Sequence, residues 1–323
     1  MTLHKNKELF KEIIDETAKS LNLPFLYIEK DYWVSYILKL LSKSKYVDLA
    51  IFKGGTSLSK AYKIIDRFSE DIDLAIITND LNSNQIKKLI KEIEKNILDD
   101  NFNELPTHIQ VSKGSEFRKT IHDYPKIENG NFGHANESII LELNSFSKPH
   151  PFNLKEITPY VYDFLMKNNA AEMVKEYELD AFVINVLDYK RTLCEKISAI
   201  ARASHEIDNE LTKLKEKIRH FYDIHFLMKN VDIQVFVSSP EFIEIINHVR
   251  SNDKIQFNKE DSWANISLYS VEIFTNTNET LLKLEHFYNN DFKDLVYAND
   301  LPKMNEIIKT IEKISKILKE NNL

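Results

Sequence analysis

The sequence predicts an α+β fold: a small mixed β-sheet flanked by helices, followed by a mainly α-helical bundle. Three observations predict it. Apolar residues recur at helical spacing as far as Leu41, and then the period changes to short apolar runs of strand length. Such runs return at intervals as far as residues 182–187. From about Tyr189 the apolar residues again keep helical spacing, and no proline occurs between Pro159 and Pro240. We place the division near residues 159–169. The halves are then residues 1–165, holding the sheet, and residues 166–323, a helical domain expected to complete an active-site cleft.

Taken in order, Leu9, Phe10, Ile13, Ile14 and Ala18 mark one face of a first helix. After Pro24, the stretch Glu29-Lys30-Asp31-Tyr32-Trp33 leads into Val34, Ile37, Leu38 and Leu41, one face of a second. Residues 47–52 (VDLAIF) read as a buried strand. Gly54-Gly55-Thr56-Ser57 follows as a turn, with Thr56 or Ser57 as N-cap of a helix through Ile65. Residues 71–77 read as the next strand and residues 83–98 as a long helix. Further strands are expected at 108–112, around 117–121 and at 138–146 (SIILELNSF), with a loop at 125–136. Residues 182–187 (FVINVL) read as a short strand or as the lead-in to the next helix. Leu193, Ile197 and Ile200 mark one later helical face, and Phe221, Ile224, His225 and Met228 another. The last stripe runs Met304, Ile307, Ile308, Ile311, Ile314, Ile317 and Leu318.

Composition narrows the class. With 43% hydrophobic and 29% charged residues, the chain resembles a folded globular protein rather than a disordered one. The net charge of -7 does not announce a nucleic-acid binder, although a local basic surface can still face a polyanion. Residues 190–220 carry eight Lys or Arg against five Asp or Glu, which suits steering of a polyanion and equally suits a solvated helix face. The single cysteine, Cys194, excludes an internal disulfide and a Cys-based zinc site, and its apolar helical setting reads as core. The first twenty residues lack the apolar stretch of a signal peptide. No run of about 18 apolar residues suggests a membrane span. The expected compartment is the cytoplasm.

Chemistry concentrates at two places. Asp71 and Asp73 are two apart on a predicted strand, so their side chains share a face. Two carboxylates so placed repel each other, and a hard divalent cation such as Mg²⁺ resolves the conflict. A solvent-exposed strand end would carry the same pair without a metal. Only five glycines occur in the chain, and two of them, Gly54 and Gly55, are adjacent at a strand-to-helix junction. Such a junction offers backbone N–H groups to a phosphate, and Thr56 and Ser57 add hydroxyls. The strand after that helix then returns the carboxylates beside the turn, as phosphoryl chemistry requires. Glu142, mid-strand in Ile139-Ile140-Leu141-Glu142-Leu143, is the candidate third metal carboxylate. A salt-bridged or outward-facing glutamate is the rival reading. Lys196 suits a triphosphate as a point charge, and a surface lysine would look the same. Arg219 and Asp223 lie four apart on one helix and suit a salt bridge. Asp223 alternatively orients Lys196 or an attacking hydroxyl. Arg67 suits a phosphate contact or a pair with Asp66 or Glu70.

The stretch Phe52-Lys53-Gly54-Gly55-Thr56-Ser57-Leu58-Ser59-Lys60, followed by Arg67-Phe68-Ser69-Glu70-Asp71-Ile72-Asp73-Leu74, resembles the signature of the AbiEii/AbiGii toxin family. That family belongs to the DNA polymerase β-like nucleotidyltransferase superfamily. Ile28-Glu29-Lys30-Asp31-Tyr32-Trp33-Val34 is similar to its lead-in, as are Glu195-Lys196-Ile197 and Arg219-His220-Phe221-Tyr222-Asp223-Ile224 to its later motifs. No motif is recognised after about residue 230. The resemblance implies a nucleotidyltransferase fold with a metal-dependent transfer of a nucleoside monophosphate from an NTP. It assigns Gly54, Gly55, Thr56, Ser57 and Ser69 to the nucleotide site, and Asp71 and Asp73 to Mg²⁺ or Mn²⁺. Lys196 and Asp223 take the later motif positions, and Glu142 the short, variable third-carboxylate motif. His220 stands where other members often have Asp, so the resemblance assigns it no role. It further implies an RNA acceptor such as tRNA, a cognate antitoxin as partner, and a place in a toxin–antitoxin or phage-defence system. Transfer to a protein side-chain hydroxyl, and a non-catalytic interaction module on the same scaffold, stay open as alternatives.

Overall fold

A computed structural model describes residues 1–69, 71–127, 137–205, 211–257, 265–297 and 301–323. The chain forms two compact units. The first comprises Met1–Lys63 and Phe68–Leu187, and the second Ile64–Arg67 and Asp188–Leu323.

The first unit is built on one mixed sheet. Its strands are β1 (Ala50–Lys53), β2 (Ile72–Ile76), β3 (Asn103–Glu104), β4 (Ser112–Lys113), β5 (Phe117–Asp123), β6 (Ile139–Asn144), β7 (Phe152–Ile157) and β8 (Phe182–Leu187). They lie in the order β3-β5-β6-β2-β1-β8-β7, with β4 pairing β5. The β2–β6 and β1–β8 pairs are parallel, whereas β1–β2, β5–β6 and β7–β8 are antiparallel.

Side-chain alternation divides this sheet into two unlike faces. One carries Phe52, Ile72, Leu74, Leu141, Leu143, Ile184 and Val186, all inside the main core. The helices α1 (Lys7–Leu21), α2 (Phe25–Lys43) and α4 (Ser83–Ile97) bring Phe10, Ile14, Trp33, Ile37, Ile90 and Ile93 into the same core. The short helices α5 (Tyr160–Lys167) and α6 (Ala171–Glu176) add Val161, Leu165 and Val174. On the opposite face, Ile51, Ala75 and Leu187 make a small separate cluster, and the charged residues of the site stand beside it.

The second unit is helical. Its main helices are α7 (Tyr189–His205), α8 (Thr212–Glu216), α9 (Ile218–Lys229), α10 (Val231–Phe236), α11 (Pro240–Phe257), α12 (Glu272–Thr275), α13 (Thr277–Phe287) and α14 (Met304–Glu320). The expected stripes on α7, α9 and α14 are buried except for Ile317, which is half-buried, and Cys194 lies with them. Among the described residues, no helix is long and apolar enough to cross a membrane.

Several local expectations are corrected. The strand expected at 47–52 begins only at Ala50, because residues 46–49 form a turn. The strand expected at 108–112 is reduced to Ser112–Lys113, since residues before it turn and leave Ile109 exposed. Strand β7 is not foreseen: it lies at the sheet edge and exposes Asn153, Leu154 and Glu156, so it lacks an apolar alternation. Residues 182–187 form a strand rather than a helical lead-in. Most of the loop expected at 125–136 lies outside the described residues.

Candidate active site

The glycine turn joins β1 directly to the helix α3 (Gly54–Lys60). Gly54 has φ +81°, a left-handed conformation that an L side chain resists. It is also closely covered: a Cβ there would collide with Asp73 Oδ2. The glycine therefore lets the backbone bend and lets the Asp73 carboxylate rest against that bend. The helix begins at Gly54 with Lys53 as N-cap, so neither Thr56 nor Ser57 caps it. Their hydroxyls serve other carbonyls. Thr56 Oγ1 donates to the Asp71 carbonyl at 2.6 Å and lies 3.0 Å from Ser69 Oγ, while Ser57 Oγ donates to the Gly54 carbonyl at 2.9 Å. The far end of α3 is fixed by a buried ion pair between Lys60 and Asp31 of α2. The second oxygen of Asp31 accepts the Tyr160 N–H at 2.8 Å.

The carboxylates form part of a row across four strands. Lys53 on β1 pairs in register with Asp73 on β2, Asp73 with Glu142 on β6, and Glu142 with Lys119 on β5. Register partners share a sheet face, so these four side chains stand side by side. Asp71 immediately precedes β2, and the two-residue alternation places it on the same face as Asp73. Glu142 is half-buried and salt-bridged, with Lys119 Nζ 2.8 Å from its Oε1. Burial pulls the Lys119 ammonium down, but the bond and charge of Glu142 and the fields of Asp71 and Asp73 outweigh it and raise its pKa. Among the described residues, no three His, Cys, Asp or Glu side chains converge as a ready-made metal cluster.

Arg67, Lys196, Asp223 and His220 belong to the second unit. Asp223 is fully buried on α9 and takes two cations. Arg67 grips it in a fork, Nε to Oδ1 and Nη2 to Oδ2, both at 2.7 Å, and Lys196 Nζ on α7 reaches Oδ2 at 2.8 Å. Of the partners left open for Asp223 by its sequence, the structure supplies Lys196; Arg67 pairs with Asp223 itself. Glu70 lies outside the described residues. Burial alone would push the Asp223 carboxyl up, but Arg67 and Lys196 hold it well below the usual carboxylate range. His220 is pushed well down, first by burial and then by Lys196 and Lys217, and stays neutral at pH 7. It therefore adds no third cation to this cluster.

Sequence reasoning missed Lys53 and Lys119 as members of the carboxylate row. Lys53 carried a signal, a charge ending an apolar run just before the glycines. Lys119 carried none, because only strand register sets it opposite Glu142. The Asp31–Lys60 pair was equally hidden, since its partners are separated by 29 positions.

A family profile described as "Nucleotidyl transferase AbiEii toxin, Type IV TA system" matches residues 36–309. The match extends well beyond residue 230, where the sequence by itself showed no motif. No curated protein sequence matches the chain. Among solved structures, the chain is similar in fold to MenT4, a nucleotidyltransferase toxin from Mycobacterium tuberculosis H37Rv. The TM-score is 0.53 at 15% identity, with 95% of this chain and 89% of that chain covered. The matched profile spans most of the chain and both of its units, and on that ground this protein belongs to the AbiEii family of nucleotidyl transferase toxins of type IV toxin–antitoxin systems.

Proposed function

We propose that the protein transfers a nucleoside monophosphate from an NTP to a hydroxyl of an RNA, with tRNA as the acceptor class, and is restrained by a cognate antitoxin. The observation that supports this reading best is the contact of Gly54 with the Asp73 carboxylate. It sets a phosphate-binding bend and an anionic strand within one side chain of each other. In the reaction an acceptor oxygen bonds to the α-phosphorus, the bridging bond to the β-phosphate breaks, and pyrophosphate leaves.

Gly54, Gly55, Thr56 and Ser57 bind the triphosphate, with the N-terminus of α3 presenting backbone N–H groups. Ser69 is held in place by Thr56. Asp71 and Asp73 fit a divalent cation: they offer hard oxygen donors on one face, and the bend beside Asp73 lacks the Cβ that would fill its space. Mg²⁺ is the proposed ion, with Glu142, held by Lys119, as the third carboxylate beside Asp73. Such an ion, when bound, shields the triphosphate and makes the acceptor hydroxyl easier to ionise. Lys196, by its resemblance to the family motif, supplies a positive charge to the nucleotide, and Asp223 orients it. Arg67, gripped by the same carboxylate, steadies that arrangement. The proposed compartment is the cytoplasm, where NTPs and RNA are both present.

The test is transfer of label from each α-³²P NTP, in turn, to total RNA by the purified protein. Label that RNase removes supports the proposal. Label that survives RNase and yields to protease replaces RNA with a protein acceptor. No label with any NTP rejects catalysis. A second expected outcome concerns the bend. Gly54→Ala should lower transfer about 100-fold, because the new methyl displaces the Asp73 carboxylate by an ångström or more. Initial rates at saturating NTP check it, and a loss of less than about fivefold would show that the contact is unimportant.

A further inference from the structure

The face that carries Asp71 and Asp73 also carries a lysine that the reaction above does not use. Lys119 lies one strand beyond Glu142 and two beyond Asp73, at the same level of the sheet. Its ammonium is bonded to Glu142 at 2.8 Å and stands in the fields of Asp71 and Asp73. It is half-buried, so water screens it less than a surface lysine. We propose that Lys119 is a resident cation of the carboxylate face, which keeps divalent-cation binding weak until a nucleotide is present. This rests on the reading of Asp71 and Asp73 as cation ligands.

The argument is one of charge and register. Asp71, Asp73 and Glu142 bring three negative charges to one face, and Lys119 neutralises the outermost of them. While its ammonium holds Glu142, that carboxylate is not offered toward Asp73 as a further ligand. A divalent ion arriving alone therefore meets two carboxylates flanked by the fixed positive charges of Lys119 and of Lys53, which stands beside Asp73 in register. A triphosphate adds enough negative charge to reverse that balance. Lys119 thereby links cation uptake to nucleotide uptake, and the idle protein does not fill with metal. An ordinary cross-strand salt bridge, contributing only to the sheet, would leave cation affinity unchanged when the lysine is neutralised.

The experiment titrates the full-length protein with Mn²⁺ and follows free Mn²⁺ by electron paramagnetic resonance, with and without α,β-methylene-ATP. Lys119→Met keeps the aliphatic stem and removes the charge. It should tighten nucleotide-free Mn²⁺ binding about tenfold. With the analogue present, the difference from the wild type should shrink. Lys119→Arg should match the wild type, and Lys119→Gln should behave as Lys119→Met, which guards against a folding defect in one variant. Equal or weaker Mn²⁺ binding by both neutral variants, with Asp73→Asn abolishing it, would overturn the proposal while leaving the metal reading intact. Mn²⁺ binding that Asp73→Asn does not weaken would overturn both.

Discussion

Asp73→Asn should reduce nucleotide transfer by at least about 10³-fold while leaving the protein folded. The carboxylate lies against the glycine bend at Gly54 and beside Glu142 in register, so it joins the proposed phosphate site to its neighbour carboxylate. Asparagine keeps the shape and removes the charge that a divalent ion requires. Losing one well-placed electrostatic group in a site of this kind costs on the order of 10²–10³ in rate, and losing a metal ligand costs more. Stability should move the other way or stay level, because Asp73 and Glu142 repel each other across adjacent strands. Single-turnover rates with labelled NTP and a thermal melt check the two halves together. A variant that keeps more than about a tenth of the wild-type rate would remove Asp73 from the chemistry. A variant that melts far below the wild type would give it a structural role instead.

Asp223→Asn should have the largest effect on stability. One fully buried carboxylate answers two buried cations, Arg67 by two 2.7 Å bonds and Lys196 at 2.8 Å. Removing the anion leaves both cations facing each other without a counter-charge. Breaking a buried pair in this way costs about 3–5 kcal/mol, or roughly 10 °C in melting temperature for a unit of this size. The pH dependence follows from the depressed carboxyl. The folded protein holds Asp223 ionised where the unfolded chain would bind a proton. Its contribution is therefore complete above the unfolded carboxylate value near about 3.9, and it is lost progressively as pH falls below that. Urea melts at pH 7 should separate wild type from variant, and the gap should narrow steadily below about pH 4. A constant gap down to pH 2 would mean that the cluster is not what the substitution disturbs. Transfer activity cannot serve as the readout here, because Lys196 loses its anchor in the same variant.

The parts of the site that could be read along the chain are those fixed by near neighbours. Gly54 and Gly55 stand out because glycines are few and these two are adjacent where the apolar period breaks. Asp71 and Asp73 share a face for any strand geometry, and β2 follows α3 closely enough that the return to the bend needs no long-range information. The helical stripes of α9 and α14 are likewise local. Where local cues competed, they misled. Thr56 and Ser57 look like helix caps, yet the folded chain offers Thr56 the Asp71 carbonyl, and the helix already starts at Gly54 with Lys53 as its cap. The partner that the fold gives the Arg67 guanidinium, Asp223, lies 156 positions away and could not be read from the neighbouring residues.

The amino-acid order alone determined that an α+β chain would present a glycine bend and two like-charged strand residues close together, because both depend on backbone periods spanning a few residues. It also carried the resemblance through which Lys196 and Asp223 were singled out. Only the folded sheet decided that Glu142 stands beside Asp73, that Lys119 answers Glu142, and that Asp31 anchors the far end of α3. Those neighbours come from different strands and helices. Which strand lies next to which, and in what register, is fixed by burying the whole apolar face beneath α1, α2 and α4, a cooperative property that no short window of sequence contains.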